Sequence, residues 1–287
     1  MATAIEFATS VLLLGALYSL IAIGFTLIFG VGGVLNLAHG GIITLGAYSA
    51  YAVNAATGSI YAGAVAAAIL LAVFSVALYR GLIANVRHNP VAVLILTLVV
   101  SVIIEQVVLI AFGGQELVVS ALVGGSVKVL GDSVRQNRVL VFAVSWLLIG
   151  GLFYFVDRTR TGKAILATSM SDKGAALVGI DAERIYTYTW LLAGALAGVA
   201  GLFLASFQTA SPTMGRTPLL LAFAIVVVGG LGSIRGSVIG AYLISFLDHA
   251  TVTFVSERLA GVSALVVLVA VLLVNPEGLF GRELVEE

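Results

Sequence analysis

Apolar residues run in long blocks along this chain, separated by short polar or glycine-rich breaks. From residue 7 to residue 79 there is no Asp, Glu, Lys or Arg, and His39 is the one basic side chain. Further uncharged stretches cover 185–215, 217–234 and 259–276. A bilayer core about 30 Å thick takes roughly 20 apolar residues per helical crossing. These blocks are apolar all round, which does not fit the alternating pattern of a membrane β-barrel. The breaks predict about nine crossings, near 7–29, 38–56, 60–80, 91–112, 138–156, 186–207, 217–231, 237–255 and 259–274. The second and seventh are short and glycine-flanked. Each reads either as a full crossing or as a broken, re-entrant element packed inside protein, the setting in which non-helical backbone is tolerated at membrane depth. The expectation is an all-α polytopic membrane protein of about eight to ten helices, forming one transmembrane domain over 1–287.

Composition agrees, with 61% hydrophobic and 10% charged residues against about 25% charged in soluble domains. The first block reads as a retained helix rather than a secretory signal. Signal cores are about 7–15 residues long and follow a positive segment, whereas Glu6 precedes this block and no Lys or Arg occurs before Arg80. The chain has no cysteine, so neither disulfides nor thiolate metal sites are available. A net charge of zero gives no argument for a nucleic-acid partner.

Orientation follows from Lys and Arg in short loops, which collect on the cytoplasmic side. The 157–184 segment carries Arg158, Arg160, Lys163, Lys173 and Arg184 and is expected in the cytoplasm. Counting crossings then puts Arg80, Arg87, Arg235 and the C-terminus inside and the N-terminus outside. The 113–137 loop falls outside despite Lys128 and Arg135. Its alternation, Val118 to Leu122 and then Ser126 to Leu130 around Gly124-Gly125, predicts a small external hairpin.

Gly194-Ala195-Leu196-Ala197-Gly198, continued to Gly201, is a small-xxx-small run of the kind that lets helices pack closely in lipid; it specifies no substrate. A faint echo joins Gly32-Gly33 and Gly41 to Tyr48 with Gly229-Gly230 and Gly236 to Tyr242. Repeated halves are common among transporters, although letters this degenerate also recur by chance.

Chemistry is sparse. A phosphate-binding loop needs two glycines around four residues, then Lys with Ser or Thr, and Gly162-Lys163 lacks both the first glycine and the hydroxyl residue. Pumping therefore needs an ATPase partner or an ion gradient. Ionisable candidates within the blocks are Glu105, Asp248, His39 and His249. Glu105, with Gln106 beside it, reads equally as a path-lining carboxylate and as a buried, paired or protonated group that fixes packing. Asp248-His249 reads as an interfacial cap, and Asn36 with His39 as a polar turn satisfying helix-end amides. No Ser-His-Asp or metal-ligand spacing occurs, so no catalytic residue, metal or cofactor is expected.

Between the fifth and sixth crossings, Arg158-Thr159-Arg160-Thr161-Gly162-Lys163 leads into Ser171-Asp172-Lys173-Gly174-Ala175-Ala176-Leu177-Val178-Gly179-Ile180 and then Asp181. Asp172 is expected to cap a short helix ending near Gly179. Such a helix, with small residues on one face, suits docking into a partner's groove. A basic loop that merely obeys the charge rule would explain the charges but not the small residues.

These residues resemble the branched-chain amino acid permease family of ATP-binding-cassette importers over nearly the whole length. Four patches carry the likeness: Gly33-Val34-Leu35-Asn36-Leu37-Ala38-His39-Gly40, the 158–180 segment, Gly229-Gly230-Leu231-Gly232-Ser233-Ile234-Arg235-Gly236, and Asn275-Pro276-Glu277-Gly278-Leu279-Phe280-Gly281. The resemblance implies a permease subunit in a prokaryotic cell membrane, paired with a second permease, identical or homologous. It also implies two ATP-binding subunits beneath and an extracytoplasmic substrate-binding protein above. The implied coupling patch covers Lys163, Asp172, Ala175, Ala176, Gly179 and Asp181, and the implied path is touched by Asn36, His39, Glu105 and Gln106. Gly174 stands where the family's coupling loop often has Glu. The rivals are an importer for urea or short amides and an ion-coupled carrier using Glu105 and Asp248.

Overall fold

In lipid a helix satisfies every backbone polar group within its own segment, and each apolar block folds accordingly. The computed structural model describes residues 4–129, 132–275 and 277–280. Among them run α1 (Ala4–Gly32), α2 (Ala38–Thr57), α3 (Ile60–Leu78, extended by a π turn over Tyr79–Ile83), α4 (Pro90–Phe112), α5 (Gln136–Arg158), α6 (Arg160–Met170), α7 (Asp172–Leu177), α8 (Ala182–Ala205), α9 (Arg216–Gly229), α10 (Ile234–Phe254) and α11 (Val262–Val274). All nine expected blocks are helical. Six helices, α1, α3 with its π turn, α4, α5, α8 and α10, are long and apolar enough to cross a membrane, and the protein is a multi-pass membrane protein. At about 1.5 Å per residue, α9 and α11 reach only ~20 Å.

Burial separates centre from periphery. The apolar windows of α1 and α8 are 83% and 72% buried, whereas those of α3, α4, α5 and α10 are 28–39% buried. Small residues allow this. A side chain on Gly194 would run into the Leu71 carbonyl and Ser75 of α3, one on Gly198 into the Ala67 carbonyl, and one on Gly201 into the Ile43 carbonyl of α2.

The two halves repeat with inverted direction. α3 packs antiparallel on α8 through Ala67 against Gly198 and Leu71 against Gly194. α10 packs antiparallel on α1, with Ser237 hydrogen-bonded to Thr26 (2.6 Å) and Ser245 donating to the Val11 carbonyl (3.0 Å). α2 lies against α3 and α4, as α9 lies against α10 and α11. Thus α1–α4 and α8–α11 are related as inverted repeats, a common transporter plan. The sequence echo is not this repeat, because it aligns α2 with α10 whereas the fold equates α2 with α9.

The 113–137 connection does hold a hairpin, but not the expected one. β1 (Ser126–Val129) pairs antiparallel with β2 (Asp132–Arg135), in the register Val127 to Val134 and Lys128 to Ser133. The 118–122 stretch is not a strand. The Leu122 amide is taken by Asn137 Oδ1 (2.9 Å), and Leu117 bridges instead to Ala210. Leu130 of the expected strand lies outside the described residues, as do Pro276 and Gly281 of the C-terminal motif. The rest of that motif is held on α9, with Leu279 and Phe280 amides donating to the Val228 and Gly229 carbonyls at 2.9 and 3.1 Å.

Candidate functional site

Beyond Gly32 the chain turns at Gly33, which has φ 61°, and re-enters the bundle to start α2. Helix starts leave free amides. Here Asn36 Oδ1 accepts from the Ala38 amide (3.1 Å) and Thr97 Oγ1 from the Leu37 amide (3.1 Å). His39 is fully buried, with Nε2 3.1 Å from the Ile21 carbonyl and its ring edge-on to Phe25. That contact makes Nε2 the donor in the neutral tautomer. Asn36 Nδ2 and His39 Nδ1 have no partner among the described residues.

The second broken element meets the first. After α8 the chain folds back through 206–215, and the Gly215 amide donates to Thr44 Oγ1 (3.1 Å). A side chain on Gly215 would run into the Gly40 carbonyl, so α2 and α9 begin side by side within the bundle and depart to opposite ends.

At this junction Arg216, the first residue of α9, grips Glu105 of α4: Nε donates to Oε1 at 3.0 Å and Nη2 to Oε2 at 2.5 Å. Glu105 is buried and ion-paired. Gln106 is exposed beside it. Arg216 escaped sequence reasoning, where it showed only as the break between two uncharged stretches. Its partner lies 111 residues away, and no local pattern links them. Asp248 accepts from the Gly261 amide (2.6 Å) and the Ser263 hydroxyl (3.4 Å) at the start of α11, while His249 packs on Phe7. Among the described residues no three His, Cys, Asp or Glu side chains gather as a metal site.

The second locus lies at one end of the bundle. Eight of the fourteen Lys and Arg residues, Arg80, Arg87, Arg158, Arg160, Lys163, Lys173, Arg184 and Arg235, sit at this end. α6 lies tight against the end of α5, because Gly162 leaves no room for a side chain over the Phe155 carbonyl and Val156. Asp172 does not cap α7 as expected. Ser171 does, its hydroxyl accepting from the Gly174 amide at 3.0 Å, since the hydroxyl one residue earlier already stands at the extended position that precedes the helix. Asp172 instead accepts from the Tyr186 hydroxyl (2.9 Å). Gly179, at φ 82°, ends α7 in the left-handed conformation that favours glycine, and Asp181 caps α8 through the Arg184 amide (3.3 Å).

Ala175 points inward at 2% exposure, whereas Ala176 and Lys163 are exposed. α7 starts with the exposed charges Asp172 and Lys173 and ends in a bare apolar pair: Leu177 is 88% exposed and Val178, just after the helix, 75%, with Met170 of α6 nearby in sequence at 68%. Neither Leu177 nor Val178 was singled out from sequence; an apolar pair following two alanines reads as core.

A polar and aromatic cluster ties this surface to the spans. Tyr186 stacks on Tyr79 at 5.7 Å, and Tyr79 stacks on Trp190. Glu183 accepts from Tyr79 (3.0 Å) and pairs with Arg87, whose guanidinium lies over the Tyr186 ring. Burial works against the Arg87 charge, but the Tyr79 hydroxyl and the Glu183 carboxylate more than offset it and raise its pKa further.

The chain matches, over residues 7–274, the family described as the permease component of branched-chain amino acid transport systems. It is 29% identical to the high-affinity branched-chain amino acid transport system permease protein LivH of Escherichia coli K12, covering 96% of this chain and 94% of that one. BraD of Pseudomonas aeruginosa, of the same description, is 29% identical over 96% and 95%. A probable branched-chain amino acid permease of Methanocaldococcus jannaschii is 28% identical over 91% and 88%. Among solved structures, PsaBC from Streptococcus pneumoniae in complex with Fab aligns over 94% of this chain and 90% of its own at a TM-score of 0.48 and 15% identity, too loose a likeness to carry a function. With nearly its whole length matched, the chain belongs to the branched-chain amino acid transport permease family.

Proposed function

We propose that this chain is one of two permease subunits of an ATP-binding-cassette importer for branched-chain or closely related amino acids. It supplies half of the translocation path and performs no bond chemistry. Two ATP-binding subunits dock on α6 and α7, and an extracytoplasmic binding protein delivers substrate at the opposite end, where the 113–137 connection lies. The end bearing eight Lys and Arg faces the cytoplasm, as the positive-inside rule requires; this also puts the pinned C-terminal segment inside and the N-terminus outside. The membrane is the cell membrane of a prokaryote.

The observation that carries the reading is α7, a six-residue helix held outside the spans with Leu177 and Val178 bare. Apolar side chains presented this way mark an interaction surface. They are wired inward through Asp172, Tyr186 and Tyr79 to the cytoplasmic ends of α8 and α3. Motion of a docked ATPase would thereby rock the central α8 against the peripheral α3.

The test is reconstitution of this chain with its partner permease, ATP-binding subunits and binding protein in proteoliposomes. Leucine uptake that requires ATP and the binding protein is expected. Uptake that persists without ATP and follows a proton gradient would instead establish the ion-coupled carrier, and competition by urea or short amides rather than by isoleucine and valine would reassign the substrate.

A further inference from the structure

Arg216 is 66% exposed, while the Glu105 it grips is 8% exposed. Glu105 lies about 10 Å, at roughly 1.5 Å per residue, from the Phe112 end of α4, so the pair sits at membrane depth. A cation there is costly against lipid and faces protein or a water-filled path. The exposed neighbours fit the second setting, since Gln106 on α4, Thr213 just before α9 and Thr217 in its first turn are all polar and exposed. The rest of the exposed surface of α4, including Val107 beside Gln106, is apolar. Leu220 and Ile110, one turn further along α9 and α4, are apolar and exposed, so the polar surface is a local patch around Arg216, and the cost of a cation against lipid turns that patch toward protein or water.

The hydrogen bonds to Glu105 use the side edge of the guanidinium, Nε and one hydrogen of Nη2. A guanidinium has a second planar fork formed by Nη1 and the other Nη2 hydrogen, and among the described residues nothing occupies it. Carboxylates fit such a fork bidentately. We propose that this free edge of Arg216 binds the carboxylate of the transported amino acid, with Glu105 as the positioning residue that fixes the guanidinium plane. The Glu105–Arg216 pair is neutral and a zwitterionic substrate adds no net charge, so the site stays balanced empty or loaded. Urea and amides lack the carboxylate and gain nothing from this edge. The proposal rests on the amino-acid importer reading.

The experiment uses the complete transporter in proteoliposomes. Arg216→Lys, which keeps the charge and loses the fork, and Arg216→Gln are each expected to cut leucine uptake at least about tenfold, the scale of one charge-assisted hydrogen-bonded pair. The double variant Glu105→Gln with Arg216→Gln is expected to transport no better than Arg216→Gln alone. Should that double variant recover wild-type uptake, the pair is only a packing device and the site is overturned.

A second measurement does not depend on those variants folding. In this cysteine-free chain, Thr217→Cys is expected to react with a water-soluble thiol reagent in the assembled transporter and to be protected when leucine is being translocated. Glu105→Gln should weaken that protection and Glu105→Asp should restore part of it. No reaction from water, or reaction indifferent to leucine, overturns the site. Wild-type protein that fails to import leucine would overturn the importer reading itself, whereas wild-type import with an unimpaired Arg216→Gln variant overturns only the carboxylate site.

Discussion

Tyr186 donates a hydrogen bond to the Asp172 carboxylate across 2.9 Å, fastening α7 to the early turns of α8. The same ring stacks on Tyr79 of the π turn, so one side chain bridges the surface helix and two spans. Tyr186→Phe keeps the stack and removes the bond. Leucine imported per ATP hydrolysed is expected to fall roughly fivefold, equivalent to about 1 kcal/mol for one hydrogen bond, while hydrolysis by the assembled complex continues.

The two alanines of the proposed coupling patch should behave differently. Ala176 is exposed and Ala175 is 2% exposed. Ala176→Arg is expected to weaken ATPase docking without lowering the melting temperature of the detergent-solubilised chain, whereas Ala175→Arg should lower it. Leu177→Asp should weaken docking further, by about 2 kcal/mol or some 30-fold in affinity, the scale of one buried leucine. Pull-down of the ATPase subunits by membrane-inserted variants reads both effects.

Capping gives a local check on the same helix. Ser171→Ala removes the hydroxyl that accepts from the Gly174 amide and should cost about 1 kcal/mol of local stability. Ser171→Asp should largely retain it. Amide hydrogen exchange over 172–178 is expected to speed up in the first variant and to stay near wild type in the second.

Glycine positions inside and outside the packing seams offer a matched pair. Gly201→Ala drives a methyl into the Ile43 carbonyl, whereas at Gly150 and Gly151 the added methyl would stand in open space. Gly201→Ala should destabilise the chain by about 1–3 kcal/mol, as overpacking does, and Gly150→Ala should be tolerated. Thermal unfolding in detergent distinguishes them.

The spans were legible because hydrophobic length is set by the bilayer: each of the nine blocks became a helix with ends within a few residues of expectation. Glycine flanks also marked α2 and α9, the two elements that begin within the bundle. What sequence could not supply was pairing across distance. Arg216 and Glu105 come together only because two broken elements meet at Gly40 and Gly215. The capping residue of α7 shifted from Asp172 to Ser171, because adjacent Ser and Asp are both good caps and only backbone conformation chooses between them. Alternation around Gly124-Gly125 suggested strands on both sides, but the Asn137 side chain and Ala210 claim the backbone of the first.

The side of the membrane on which α7 emerges tests the coupling account most directly. In the otherwise cysteine-free chain, a cysteine placed by Val178→Cys should react with an impermeant maleimide in inside-out vesicles and not in intact cells. Added ATP-binding subunits should shield it. Labelling from the outer surface, or labelling indifferent to those subunits, would contradict the assignment of α6 and α7 as the docking element.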